Sequence, residues 1–295
     1  MVAYPAPMIQ LLGLGVTVLM VFGGYMLAGG KLSIILHSLP FEMMMIGGAA
    51  TGAFLAANDF ATIKHAGADL LAVVKGPKWK RADYQDLLCL MHELTMCLRT
   101  SPADIEGHIE DPASSAIFGR YPKIQKDHAA TEIICDTIRS MTLQFDDAYQ
   151  VEEMLGKQLA KMREDSLHGA HALSNVADAL PALGIVAAVL GVIKTMASID
   201  KPPEVLGQMI GGALVGTFLG VFLAYGFVGP FAARVKALRE EEHAFYGLIR
   251  EAIVSTLHGH PEAMAAEVAR RNAPHHVRPS FQEMDDALRD LKKAS

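Results

Sequence analysis

The sequence is short of the residues on which most metalloenzymes and disulfide-stapled modules depend. It has three cysteines in 295 residues, Cys89, Cys97 and Cys135. They form no CxxC pair, and an odd number cannot close a full disulfide framework, so buried, reduced thiols are expected. No Cys/His cluster has zinc-site spacing. His92-Glu93-Leu94-Thr95-Met96 opens like a zinc-protease HExxH, but Met96 stands where the second imidazole would have to be. His168 and His171 lack a third ligand and read as a solvated pair; His275 and His276 read as surface residues. There is no GxxxxGK[ST] phosphate loop and no GxSxG elbow. With no catalytic constellation left, the chain is expected to be no enzyme and to carry no metal or cofactor. No long run alternates with period two, so no sheet is expected. A net charge of −6 says little about partners, and nucleic acid is not expected among them.

What the chain does have is apolar surface: 51% of its residues are hydrophobic, and the mean hydropathy is positive. Four runs, residues 8–29, 41–57, 179–199 and 209–233, approach the roughly 20 apolar residues that cross a hydrocarbon core about 30 Å thick. The expected fold is therefore an all-α membrane protein with four transmembrane helices. Its segments would be residues 1–59 (spans 1 and 2), a helical cytoplasmic domain at 60–178, spans 3 and 4 at 179–233, and a cytoplasmic tail at 234–295. Orientation follows from the bases. Only Lys31 and Lys201 fall in the two short connections and Lys194 near the end of span 3, while every other Lys and Arg lies in 60–178 or 234–295. Basic segments stay in the cytoplasm, which puts both termini there and makes residues 8–29 a first span rather than a cleaved leader.

Within the 60–178 block, Leu87, Leu88, Met91, Leu94 and Leu98 trace a helical stripe that Pro102 ends. Pro112, Gly119 and Pro122 predict short pieces, and the helical pattern resumes from Asp127 to about Ser166. After Arg270 the tail, with Pro274 and Pro279, is expected to be loosely ordered as far as a last helix at FQEMDDALRDLKK.

The spans also lack something. Glu42 is read at the start of span 2, Asp59 beyond its end, Asp178 at the beginning of span 3 and Lys194 near its exit, which leaves no carboxylate at mid-depth. An ion conductor needs such a group, so a partner would have to supply it. Gly212, Gly216 and Gly220 make a small-residue face on span 4, with Thr217 beside it; Gly184, Ala187, Ala188 and Gly191 make a second face on span 3. Those faces suit either packing within the chain's own bundle or reception of a partner helix. Pro181 suits the first turn of span 3.

PALGIVAAVLGVI followed by ALVGTFLGVFLAYGFVGP resembles the paired signature of the MotA family, the larger subunit of the ion-driven flagellar stator. GGYMLAGGKL, DLLCLM, IEDP, IFGRYP and RPSFQEMDD are similar to family segments in the same order, so the likeness covers essentially the whole chain. It implies an inner-membrane protein in a homo-oligomer, understood to be a pentamer, around two copies of MotB, each bringing the proton-carrying Asp. Pro181, Ala188 and Thr217 would line the ion pathway. Sodium-driven members carry a threonine hydroxyl at the position of Ala188, so protons are expected here. Arg99 and Glu106 would meet the rotor protein FliG, and Pro230 matches the family's torque-coupling proline. Glu93, followed by Asp104, puts acid near Arg99 where enteric relatives have a base at the first position, which leaves the sign of the rotor-facing surface open. The other reading is an energiser of the ExbB or TolQ type serving an outer-membrane system. Those proteins are similar over the last two spans but have fewer spans in all.

Overall fold

The structure is a computed structural model that describes residues 6–142 and 147–294. Its helices, in chain order, begin with α1 (Ala6–Leu27), α2 (Leu32–Glu42), α3 (Gly48–Ala57) and α4 (Phe60–Lys75). They continue with α5 (Arg81–Thr100), α6 (Pro102–Glu110), α7 (Pro122–Gln125) and α8 (His128–Thr142). The last five are α9 (Ala148–Met196), α10 (Pro203–Leu223), α11 (Gly229–Leu257), α12 (Glu262–Asn272) and α13 (Phe281–Ala294). No strand occurs among the described residues.

Two π-helical turns, Met43–Gly47 and Ala224–Val228, join α2 to α3 and α10 to α11. Each lies close to a proline, Pro40 or Pro230, which has no N–H to give to the carbonyl four residues back, so the local ladder must rearrange. Four helices have the length and apolarity to span a membrane: Ile9–Leu27, Leu32–Ala57, and parts of Ala148–Met196 and Pro203–Leu257. The second begins nine residues earlier than the apolar run suggested, because the polar stretch around His37 and Ser38 is itself helical.

The chain forms two compact units. The first comprises residues 1–76 and 166–238, so α4 belongs with the membrane-type helices rather than with the block that follows. Asp59 caps α4 by accepting a hydrogen bond from the Thr62 backbone N–H at 2.9 Å, which satisfies one of the amides left over at a helix start. One core of this unit joins Ile46 and Ala50 to Leu180, Ala187, Leu219 and Ala224. A second joins Ala66 and Val73 of α4 to Ala170, Leu173, Ala232 and Val235. Phe22 of α1 sets its ring edge against Phe218 and Phe222 at 5.9 and 5.4 Å. Most of α1 otherwise exposes leucine, valine and methionine, as suits a surface whose solvent is lipid.

The second unit comprises residues 77–165 and 239–295. Its core is built on α5, whose Leu87, Leu88, Leu90, Met91 and Leu94 are fully enclosed, as the helical stripe predicts. Trp79 stacks on Phe245 with ring centroids 3.9 Å apart and planes 8° off parallel. Lys78 joins Asp127 and Glu242, the latter at 2.9 Å. Burial works against the Lys78 charge, yet hydrogen bonds to the two carboxylates outweigh it and hold the ammonium above its ordinary pKa. α12 and α13 both pack on α5. The segment between them, expected to be loose, is tied down. Arg270 donates to the Pro279 carbonyl at 2.8 Å, Arg278 donates to the Ala273 carbonyl, and Ala273 is buried. Arginine forks meeting backbone carbonyls supply the order that composition does not reveal.

Candidate functional site

In the first unit α9 and α10 run antiparallel in very close contact. A methyl group at Gly220 would lie 2.6 Å from the Leu180 carbonyl oxygen and 2.9 Å from the Gly184 Cα. One at Gly184 would lie 2.8 Å from the Gly216 carbonyl oxygen, and one at Gly191 would meet Ala213. On α2, Ser38 Oγ lies 2.9 Å from the Cβ position of Gly212. The glycine face is thus spent inside the chain, on α9 and α2, and offers no close approach to a partner.

Pro181, Ala188 and Thr217 sit elsewhere on the same helices. Pro181, Ile185, Ala188 and Val192 share one stripe of α9 by helical spacing; Ile210, Leu214, Thr217 and Val221 share one of α10. Ile185, Val192, Ile210, Leu214 and Val221 are exposed, and Pro181, Ala188 and Thr217 are half-buried. The structure therefore brings the three candidate pathway residues onto uncharged apolar surfaces beside the Gly184–Gly216 contact. Pro181 opens no helix: α9 continues through it from Ala148 to Met196. Its ring nitrogen has no proton for the Ala177 carbonyl, so one rung of the ladder is missing there.

The reading of Glu42 is corrected. It lies ten residues into the helix that runs from Leu32 to Ala57, about 15 Å along its axis at 1.5 Å per residue. It is 5% exposed, and its Oε2 makes no hydrogen bond. A Cβ at Gly216 would stand 2.6 Å from that oxygen, and 3.2 Å from both the Ala187 methyl and the Ala188 backbone nitrogen. A carboxyl group of this chain thus reaches the junction of α2, α9 and α10 at mid-span. Sequence reasoning missed it because the hydropathy boundary was set at residue 41, and Pro40 concealed the helix on either side of it.

Pro230 is exposed in the first turn of α11 and lines a cavity of about 300 Å³ with Gln10, Thr17, Val73, Tyr225 and Arg234.

In the second unit Arg99, in the last turn of α5, is exposed and pairs with Glu262 of α12 at 2.9 Å. Glu106 is exposed on α6. Glu93, which raised the question of surface sign, turns inward. It is 6% exposed, accepts a hydrogen bond from the Tyr121 hydroxyl at 2.6 Å and meets Arg120 at 2.6 Å. Burial pushes the Tyr121 phenol up in pKa, and its bond to Glu93 adds to the shift. This acid is compensated internally and adds nothing to the surface around Arg99. His168 and His171 are exposed, and no group of three potential metal ligands occurs among the described residues. Burial pushes the Cys89 and Cys135 thiols up to about 12, while Cys97 is half-exposed.

Residues 11–102 match the family described as Motility protein A N-terminal, and residues 125–247 match the MotA/TolQ/ExbB proton channel family. Motility protein A of Salmonella typhimurium is 34% identical over 97% of this chain and 96% of its own length. Chemotaxis protein LafT of Vibrio parahaemolyticus is 31% identical, over 95% of this chain and 98% of its own length. Among solved structures, the C. jejuni MotAB structure superposes with a TM-score of 0.71 at 20% identity, covering 92% of this chain and 98% of that one. The flagellar MotAB stator complex of Bacillus subtilis gives 0.62 at 21%, covering 97% and 98%.

Proposed function

The chain belongs to the MotA family, and on that premise we propose that it is the larger stator subunit of a flagellar motor, coupling inward proton flow to torque together with MotB. The observation that carries this reading is the two-sidedness of the α9–α10 pair. Its glycines are spent inward, while Pro181, Ala188 and Thr217 face outward on stripes that bear no charge. A surface of that kind suits a neighbouring helix that brings its own carboxylate, the role of the MotB Asp. Charging and neutralising that Asp in a low-dielectric site changes its contacts by several kcal/mol. A ring of subunits, five by likeness to the family, can step around two such helices as the charge alternates.

Torque leaves through the second unit, where Arg99 and Glu106 are the groups that would meet FliG. Exposed pairs of this type contribute only about 0.2 to 1 kcal/mol each, which suits contacts that must release on every step. Pro230, two residues after the end of a π-helical turn, would transmit the motion between the membrane and that surface. The distribution of Lys and Arg supports a multi-pass inner-membrane protein with both termini in the cytoplasm. Ala188 offers no hydroxyl for a dehydrated cation, which favours protons over sodium. The four-span layout disfavours an ExbB or TolQ role.

Deleting the gene and tracking the cells tests the proposal. Filaments that are present but do not turn are expected. Normal swimming with defective outer-membrane uptake would move the chain to the energiser class, and a swimming speed that follows external sodium at constant proton motive force would refute the proton assignment.

A further inference from the structure

The stator reading leaves Glu42 unused, although its surroundings are those of an ion-exchange site. Its carboxylate oxygen is enclosed at mid-span without a hydrogen-bond partner. The elements packed against it offer no counter-charge nearby. α10 carries only Glu204, in its first turn, and α9 is uncharged from Ala179 to Ile193, between Asp178 and Lys194. On its own helix the nearest ionisable group is His37, which is exposed. A bare carboxylate in such a setting is strongly disfavoured. A metal cation would need a shell of oxygens, whereas the atoms that share the space over Gly216 with Oε2 are the Ala187 methyl and the Ala188 backbone nitrogen, neither of which is an oxygen ligand.

The helix is also interrupted at this residue. Pro40 has no N–H, and the π-helical turn starts at Met43, so the backbone around the carboxyl is widened and out of regular register. Such turns recur at functional sites. Across the junction, Glu42 Oε2 and the Ala188 backbone nitrogen both lie within 3.2 Å of the point where a Gly216 side chain would start. Ala188 and Thr217, next to Gly216, are two of the proposed pathway residues. Only a glycine at 216 leaves room for the acid.

We propose that Glu42 is a proton-exchanging carboxyl that this chain itself contributes to the ion path, in series with the carboxylate brought by the partner subunit. The ionised group takes a proton by forming an O–H bond, holds it at the α2–α9–α10 junction, and releases it by breaking that bond when the next acceptor comes into reach on the Ala188–Thr217 side. No electrons move, and the driving force is the transmembrane proton gradient. The inference rests on the stator reading.

The test uses the full-length chain expressed with its MotB partner in cells lacking the chromosomal gene. Wild type is run first: failure to restore rotation there sinks the stator reading, whatever Glu42 does. Glu42→Gln keeps the shape and hydrogen-bonding capacity but cannot ionise; Glu42→Asp keeps the ionisable group on a shorter arm. With membrane levels and co-purification of MotB equal to wild type, loss of rotation in Glu42→Gln and its retention in Glu42→Asp is expected. Rotation in Glu42→Gln, with or without rotation in Glu42→Asp, overturns the proposal and makes the residue a packing group. If both variants stall, the infrared spectrum of the purified wild-type complex minus that of Glu42→Gln decides. A protonated-carboxyl stretch in the difference supports the site, and its absence overturns it.

Discussion

The close contact of α9 with α10 yields a prediction that can be sized from distances. In Gly220→Ala the new methyl would stand 2.6 Å from the Leu180 carbonyl oxygen and 2.9 Å from the Gly184 Cα. Both are backbone atoms of a continuous helix, so no side chain can swing away. Restoring an ordinary contact requires the two helices to part by roughly an ångström, because core groups this tightly packed do not compress. Overpacking of this kind costs about 1–3 kcal/mol. Gly207→Ala in the same helix is the control, because nothing lies within 4 Å of its added carbon. Each substitution gains up to about 1 kcal/mol of helix propensity, so their difference isolates the contact. The expected result is that Gly207→Ala in the purified complex melts at or slightly above wild type. Gly220→Ala should melt lower than Gly207→Ala by the equivalent of about 1–3 kcal/mol and should swim poorly. Equal melting of the two variants would show that the α9–α10 contact is looser than the distances require and that the glycine face is not spent within the chain.

Glu93→Ala leaves the Tyr121 hydroxyl without its acceptor and the half-exposed Arg120 without its pair, so a loss of about 1–3 kcal/mol in chemical denaturation is expected; a loss within error would mean that Glu93 belongs to the surface after all. Arg270 and Arg271 hold Glu267 at a pKa of about 2, the Arg270 hydrogen bond being the main cause. A depressed carboxylate contributes stability that is present above its unfolded pKa, near the ordinary 4.5, and lost as pH falls toward 2. The melting-point advantage of wild type over Glu267→Gln should therefore be constant at neutral pH and shrink progressively below 4.5; an advantage that grows on acidification would reverse the sign of this argument. In alkylation followed by mass spectrometry at mildly alkaline pH, Cys97 should react first, because Cys89 and Cys135 are buried and remain thiols; equal labelling of all three in the folded protein would contradict the packing of α5 and α8.

Much of this protein is dictated by its sequence alone, and for a simple physical reason. A helix that must satisfy its own backbone bonds in lipid announces itself by about 20 apolar residues, and the α5 stripe announces itself by its period. The same local patterns carry the family likeness that singles out Pro181, Ala188, Thr217 and Arg99. Three matters were left to the tertiary structure. Pro181 is compatible with either a helix start or a helix interior, and only the unbroken course of α9 decides. Gly212, Gly216 and Gly220 suit an internal or an external neighbour equally, and the choice depends on which helices arrive from far along the chain. The fate of a charge is the clearest case. Glu93 and Glu42 are both acids in helical segments, and nothing local says that one will find Arg120 and Tyr121 while the other is left in the apolar layer against Gly216. Periodicity fixes which face a residue occupies on its own helix. What that face meets is set by packing across the chain, and there the same carboxylate becomes either half of an ion pair or a group that must trade protons.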